Sequence, residues 1–241
     1  MPDGSPHILF HVYISQQKTL QPAYHSRLAF VGPRSVYLLT DRKKRVLSFI
    51  IKLKPGAYPN LGTTLPLREL RDRSISFEAL IGKDLTQFKA EVTSLALSHN
   101  ISTMVRRFDK LLLDVIDPKF TQQQLAQAAI RVIDDTQGRW SMRELSSFLG
   151  VSERHTRSVF NKAVGLSPKR YARIVRLTET VKTLDAGFPF GKAQLALASG
   201  FYDQSHMIDE FQALVGASTD TFIAQSNRED VLMHSSDFSN T

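Results

Sequence analysis

A pattern of about 50 residues occurs twice in the second half of the chain. Leu145, Gly150, Phe160, Gly165 and Ser167 recur as Leu195, Gly200, Phe211, Gly216 and Ser218, offset by 50 before the central turn and by 51 after it. A repeat of this length is one supersecondary unit used twice. Each copy reads as a short helix, a glycine turn, a capping residue and a second helix. In the first, Met142 to Leu149 leads through Gly150 to Ser152 and a helix ending near Val164. In the second, Ala193 to Ser199 leads through Gly200 to Asp203 and a helix ending near Leu214. Glycine allows a sharp turn between helices, as a helix-turn-helix needs. Ser167-Pro168 is an N-cap followed by proline at the first helical position, so a linking helix from Lys169 to Leu184 joins the copies. Ser141 with Glu144 forms a capping box that opens the first unit. A further helix, Gln122 to Asp134, precedes it and ends at Gly138.

The first half has another rhythm. Ile8 to Ile14, Arg27 to Val31, Ser35 to Leu39 and Val46 to Leu53 are rich in β-formers. Gly32-Pro33 and the polar stretch Asp41 to Lys44 break them as turns, and Arg42 to Arg45 reads as a hairpin tip. Loop residues follow at Pro55-Gly56, Pro59-Asn60 and Gly62, and Leu65 to Leu80 is mixed. From Leu85 the apolar spacing becomes three and four, which predicts two amphipathic helices with a break near His99-Asn100. Asp117-Pro118 ends the second. The expected fold class is α+β. A small β-rich, barrel-like domain with two closing helices occupies 1–118, an all-α domain of two helix-turn-helix units joined by a helix occupies 119–225, and 226–241 is a polar tail.

Charge points to a polyanionic partner. The chain of 241 residues has 31 basic and 23 acidic side chains, a net +8. Residues 1–120 carry 18 basic and 10 acidic groups, while 121–241 carry 13 of each. Within the second half, Arg139 to Arg176 holds nine basic residues against Glu144 and Glu153, a net +7. From Leu177 onward three basic residues face nine acidic ones, a net −6. A charge run of this kind is either a solvated face or an electrostatic footprint for nucleic acid. There is no cysteine, which excludes disulfides, thiolate metal sites and cysteine nucleophiles. No glycine-rich phosphate loop or serine nucleophile motif is present. His7, His11 and His25 are scattered among the strands and read as ordinary surface or core residues rather than metal ligands. Asp134-Asp135 and Glu229-Asp230 read as helix-end or solvated pairs. No apolar run is long enough for a membrane span, and the N-terminus lacks the pattern of an export signal.

Residues 121–225 resemble the DNA-binding domain of the AraC/XylS transcriptional regulators. Gly200-Phe201-Tyr202-Asp203-Gln204-Ser205-His206, followed by Phe211 and Gly216, is similar to the signature of that family's second helix-turn-helix. Gly165-Leu166-Ser167-Pro168-Lys169-Arg170-Tyr171 is similar to the start of its linking helix. Met1-Pro2-Asp3-Gly4 and Lys54-Pro55-Gly56 resemble, more loosely, a sensor-type domain that precedes this DNA-binding domain in some members. In that domain the proline-aspartate-glycine stretch lies further in, so the resemblance implies a chain that begins late and lacks a first strand. Thr156, Ser158, Asp209, Gln212 and Thr219 depart from the family pattern. The first two are expected to loosen the first unit, and Asp209 and Gln212 to weaken DNA contact by the second.

The resemblance implies a cytoplasmic bacterial regulator, expected to activate transcription, with double-stranded promoter DNA and RNA polymerase as partners. A small-molecule effector or self-association into a homodimer would act through the first domain, and neither cofactor nor membrane is expected. A recognition helix places its N-terminal residues in the major groove. In the first unit those are Glu153, Arg154, His155 and Arg157, and arginine can pair with guanine O6 and N7; the alternative for each arginine is a plain surface charge. In the second unit they are Gln204, Ser205 and His206, while Phe201 and Tyr202 read as core. Arg139, Arg143, Lys162, Lys169, Arg170 and Arg173 are candidate phosphate contacts. Asp203 is expected to cap its helix, and Asp209 and Glu210 to stand unoccupied. An enzymatic reading also follows from the resemblance, since some DNA-repair methyltransferases carry a related helical domain, but they need the cysteine acceptor this chain lacks. A constitutive DNA-binding or assembly protein is the other alternative.

Overall fold

Alternation in the first fifty residues and helical spacing after them translate into a sheet backed by helices, then a bundle. The computed structural model describes residues 4–14, 24–34, 46–63, 65–116, 124–139, 141–189, 191–216, 218, 219 and 221. Strands β1 (His7–Ile14), β2 (Tyr24–Val31), β3 (Val46–Lys52) and a short β4 (Ser74–Ser76) form one antiparallel sheet in the order β3-β1-β2-β4. The register sets Ile8 against Phe30 and Ile51, and Phe10 against Leu28 and Phe49. Side chains alternate across a strand, so these residues share one face. That face is buried under α2 (Thr86–Leu97) and α3 (Ile101–Val115), with Val92, Met104, Phe108 and Leu111 in the same core. Phe108 is its hub. Its ring lies 5.9 Å from Phe10, 5.0 Å from Phe49 and 5.1 Å from Phe88, the offset and edge-on geometries that aromatic rings favour.

The α+β class holds. The described strands make one four-stranded antiparallel sheet ahead of the helical domain. The stretch Leu65 to Leu80 resolves into a 3-10 turn (Leu67–Leu70), β4 and the short helix α1 (Phe77–Ile81). These elements are too short for a period to register. The break between α2 and α3 falls where expected, at His99 in a left-handed conformation (φ 56°) and Asn100, whose side chain caps α3. The Ser35 to Leu39 strand, the Arg42 to Arg45 tip, the Asp117-Pro118 stop, Glu229-Asp230 and the 226–241 tail lie outside the described residues.

The second half is all helix: α4 (Gln124–Asp135), α5 (Met142–Phe148), α6 (Glu153–Val164), α7 (Pro168–Asp185), α8 (Lys192–Ala198) and α9 (Gln204–Val215). Four caps form as the sequence predicts. Ser141 exchanges both bonds of a capping box with Glu144, and Ser152, Ser167 and Asp203 each accept a backbone N–H three residues on. Gly150 and Gly200 turn the chain between the helices of each unit at φ 67° and 78°, angles that a side chain disfavours. One core joins α4, α6, α7 and α9 through Ile130, Phe160, Leu166, Ile174, Leu177 and Phe211. A smaller cluster of Leu195, Ala196, Phe201 and Met207 seats α8 on α9.

Thr156 is not a loosening substitution. It is fully buried, accepts a hydrogen bond from buried Ser146 at 3.1 Å and donates to Ser152 O at 3.1 Å. This relay fastens α5 to α6. Thr156→Val leaves the Ser146 hydroxyl unpaired and should cost about 1–3 kcal/mol. The double variant Ser146→Ala/Thr156→Val should cost less than the sum of the single changes in a denaturant-unfolding cycle.

Candidate nucleic-acid interface

In the first unit α6 buries Thr156, Phe160, Ala163 and Val164. Arg154, His155, Arg157 and Ser158 therefore face solvent. Arg154 makes no ion pair among the described residues, while Arg157 pairs with Glu153 one turn back at 2.7 Å. Both groups of that pair are well exposed, so it orients the guanidinium more than it stabilises the fold. Arg143 on α5, Lys162 near the end of α6 and Lys169 on the first turn of α7 are exposed as well. Arg170 is half-buried, and its Nε is enclosed without a partner among the described residues.

Two of the expected phosphate contacts have internal partners. Arg173 on α7 donates from Nε to Glu210 on α9. Glu210 is thus not the unoccupied acid that the sequence suggested. Arg139 donates to Ala198 O at 2.6 Å and Gln137 Oε1 at 2.8 Å, and its stem packs over Gly200. Arg176, which sequence reasoning passed over, reaches Gly138 O at 2.6 Å and lies 5.4 Å from the Phe201 ring centre. Burial lowers the pKa of its guanidinium, and the Glu210 charge opposes that shift. The i,i+3 spacing of Arg173 and Arg176 on α7, with an acid on α9, was the available signal.

The second recognition helix differs from the first. Gln204 and Ser205 are exposed. His206 folds back on its own turn: Nδ1 accepts from Tyr202 N at 3.3 Å, and the ring stands edge-on to Phe201 at 5.6 Å. Asp203 caps the helix through His206 N at 2.7 Å, and Asp209 is exposed. Phe201 is core at 5% exposure, but Tyr202 is 85% exposed, against the core reading. It follows the turn at Gly200 and precedes the cap, where the cluster under α8 ends. Among the described residues no group of histidines and acids is placed to hold a metal ion. Likewise, no described helix is long and apolar enough to cross a membrane.

Residues 145–225 match the family model of a helix-turn-helix domain. These residues are an AraC-type helix-turn-helix segment. The match leaves the sheet and its helices uncovered. A search of curated proteins finds no match to the chain. Among solved structures the chain is similar to ToxT from Vibrio cholerae, with a TM-score of 0.45 and 13% identity over 93% of this chain and 95% of that one. It is also similar to unsaturated fatty acid bound wild-type ToxT from Vibrio cholerae strain SCE256, with a TM-score of 0.42 and 12% identity over 91% and 86%.

The AraC-type domain thus uses part of its basic set on itself. Arg176→Met removes a charged donor from a buried carbonyl and should cost about 1.5–3 kcal/mol in denaturant unfolding. Arg143→Met, on an exposed helix face, should stay within about 0.5 kcal/mol.

Proposed function

We propose that the chain is a sequence-specific DNA-binding transcriptional regulator, an activator acting with RNA polymerase at promoter DNA in the bacterial cytoplasm. In this reading residues 119–225 bind DNA, residues 1–118 sense a small-molecule effector or self-associate, and no catalytic role is assigned. The observation that carries it is the first unit. Its recognition helix is seated in the core by Phe160 and Val164 and turns Arg154 and Arg157 outward, with Arg143 and Lys162 exposed on the same unit and Lys169 on the first turn of α7. Arginine side chains at the start of such a helix suit guanine edges, and the surrounding cations suit phosphates. The two recognition helices, joined by α7, would enter successive major grooves about 34 Å apart on one face of the duplex.

Affinity should reside mainly in the first unit. The second offers Gln204, Ser205 and Tyr202 but no Lys or Arg on its recognition helix. Arg154→Ala or Arg157→Ala should weaken binding by about 1–3 kcal/mol where a base contact is lost, and Gln204→Ala by less. Asp209→Arg should tighten binding and steepen its salt dependence by up to about one unit of log–log slope. Titration of each variant on promoter DNA at several salt concentrations checks this. A loss of binding confined to Gln204→Ala would refute the asymmetry.

A second reading, a ligand-independent DNA-binding or assembly protein, draws on α3. Ile101, Val105 and Leu113 are exposed on it, Leu113 at 74%, and Ile116 is exposed just beyond its end; an apolar stripe of this kind invites a partner. Sedimentation of the full chain should give a dimer that Val105→Glu dissociates. A monomer at high micromolar concentration refutes self-association.

A further inference from the structure

The turns of the two units correspond bond for bond up to one side chain. Gly150 N and Gly200 N donate to Ser147 O and Leu197 O, and Val151 N and Phe201 N donate to Ser146 O and Ala196 O. These pairs stand 50 positions apart. The caps that follow stand 51 apart: Ser152 accepts from His155 N at 3.2 Å and Asp203 from His206 N at 2.7 Å. The second unit therefore holds one extra residue between turn and cap, and that residue is Tyr202. Phe201 beside it is core, but Tyr202 is 85% exposed, so its ring and hydroxyl stand in solvent. The backbone beneath it is tied down. Tyr202 N donates to His206 Nδ1 at 3.3 Å. A neutral imidazole that accepts at Nδ1 carries its proton on Nε2. Here Nε2 faces Glu210 Oε1 at 3.8 Å, and the other oxygen of Glu210 holds Arg173. His206 is thus engaged on both sides of its ring. Cations stand behind the turn: exposed Arg139 lays its stem over Gly200, and the Arg176 guanidinium lies 5.4 Å from the Phe201 ring centre.

We propose that Tyr202 is a backbone contact of the second unit, its hydroxyl donating to a DNA phosphate, and that His206 positions it instead of reading a base. The inference rests on the DNA-binding reading above and assigns two residues within it. The first residues of a recognition helix meet base edges in the major groove. Tyr202 comes before the cap of α9 and stands outside that set. Tyrosine is among the side chains that bond phosphate oxygens, contacts that fix register without carrying sequence information. α9 has no Lys or Arg, so a neutral donor at its entrance supplies the anchor that the exposed cations supply in the first unit. Insertion of one residue, rather than exchange of one, is what brings this donor out. It leaves the Phe201 contact to the core and the Asp203 cap intact on either side.

The probe is duplex DNA that the unaltered full chain selects from a random-sequence pool, with single phosphates replaced in turn by uncharged methylphosphonates. Tyr202→Phe removes only a hydroxyl from an exposed side chain, so its Tm should match that of the unaltered chain. It should bind the probe about three- to tenfold more weakly, the worth of one hydrogen bond. The salt slope should stay the same, because no cation that displaces counterions is lost. A repeat selection with the variant should return the same sequence. One methylphosphonate position should weaken the unaltered chain and leave Tyr202→Phe no weaker than before. His206→Leu should reproduce that pattern, and His206→Asn, which keeps an acceptor near the Nδ1 position, should restore the unaltered response. Equal binding by Tyr202→Phe, or the same phosphate response in both chains, overturns the contact. A loss confined to Tyr202→Ala, with relaxed preference at one base pair, also overturns it and assigns the ring to a base. Relaxed base preference in His206→Leu with the phosphate response unchanged overturns the positioning role. A chain that selects DNA while Tyr202→Phe is neutral loses this contact alone; one that selects no DNA refutes the regulator and the contact together.

Discussion

Arg173 of α7 held by Glu210 of α9, with Arg176 one turn on reaching Gly138 O and the Phe201 ring, fixes the geometry on which the C-terminal domain depends. α7 is the only covalent span from the first repeat to the second that carries helix, and α9 sits on it through this pair and through Phe211, Leu214 and Val215 in the shared core. A partly buried pair of this kind adds little against an apolar substitute but leaves a costly orphan if either partner is lost. Together with the shared apolar core it ties α9 to α7. Arg139 adds a second tie by reaching across to Ala198 O from the loop before α5. The separation of the two recognition helices is thus set by side chains as well as by the length of α7.

This arrangement divides the basic residues into two populations that net charge cannot separate. Arg173 shares its charge with Glu210 and the half-buried Arg176 is spent on Gly138 O, while Arg139 donates to Ala198 O from an exposed position. Arg143, Arg154, Lys162 and Lys169 face solvent. The +7 counted from Arg139 to Arg176 therefore overstates the electrostatic footprint. The −6 that follows overstates the opposing charge too, because Glu210 answers Arg173 and Asp203 caps a helix N-terminus, where a negative charge is favourable. The contrast between the two units survives this correction, since α6 keeps free arginine and α9 has none.

What the sequence made legible follows from the range of the interaction concerned. The repeat, the four caps, the glycine turns and the break at His99-Asn100 rest on neighbours within a few residues, and all appear as read. β4, α1 and the Leu67–Leu70 3-10 turn escaped because three to five residues cannot display a period. At the candidate site, the exposure of Arg154 and Arg157 was legible from helix position alone. The roles of Arg173, Arg176 and Glu210 were not, because they depend on a contact 37 residues apart. Thr156 read as a fault for the same reason: its partner Ser146 lies on another helix. Tyr202 misled in the opposite sense, an aromatic residue placed where the local core ends.

The N-terminal unit is not a bead on a string. Beside the Gly165 contact, the Gly4 backbone lies so close to the Tyr171 ring that a Cβ would approach within 2.8 Å, and Gly56 lies similarly against Gln127, whose amide donates to Pro55 O at 3.3 Å. These contacts fall on α4, the end of α6 and the start of α7, the elements that seat the first recognition helix. Any side chain at Gly4, Gly56 or Gly165 would collide across the boundary, so the two units meet in a close-packed seam, which transmits displacement instead of absorbing it. A shift of the Gly32–Arg34 segment or of the Leu67–Leu70 turn must therefore be met by α6 or by opening of the seam. The Gly32–Arg34 segment and the Leu67–Leu70 turn thus abut the end of α6, the helix that carries the exposed Arg154 and Arg157.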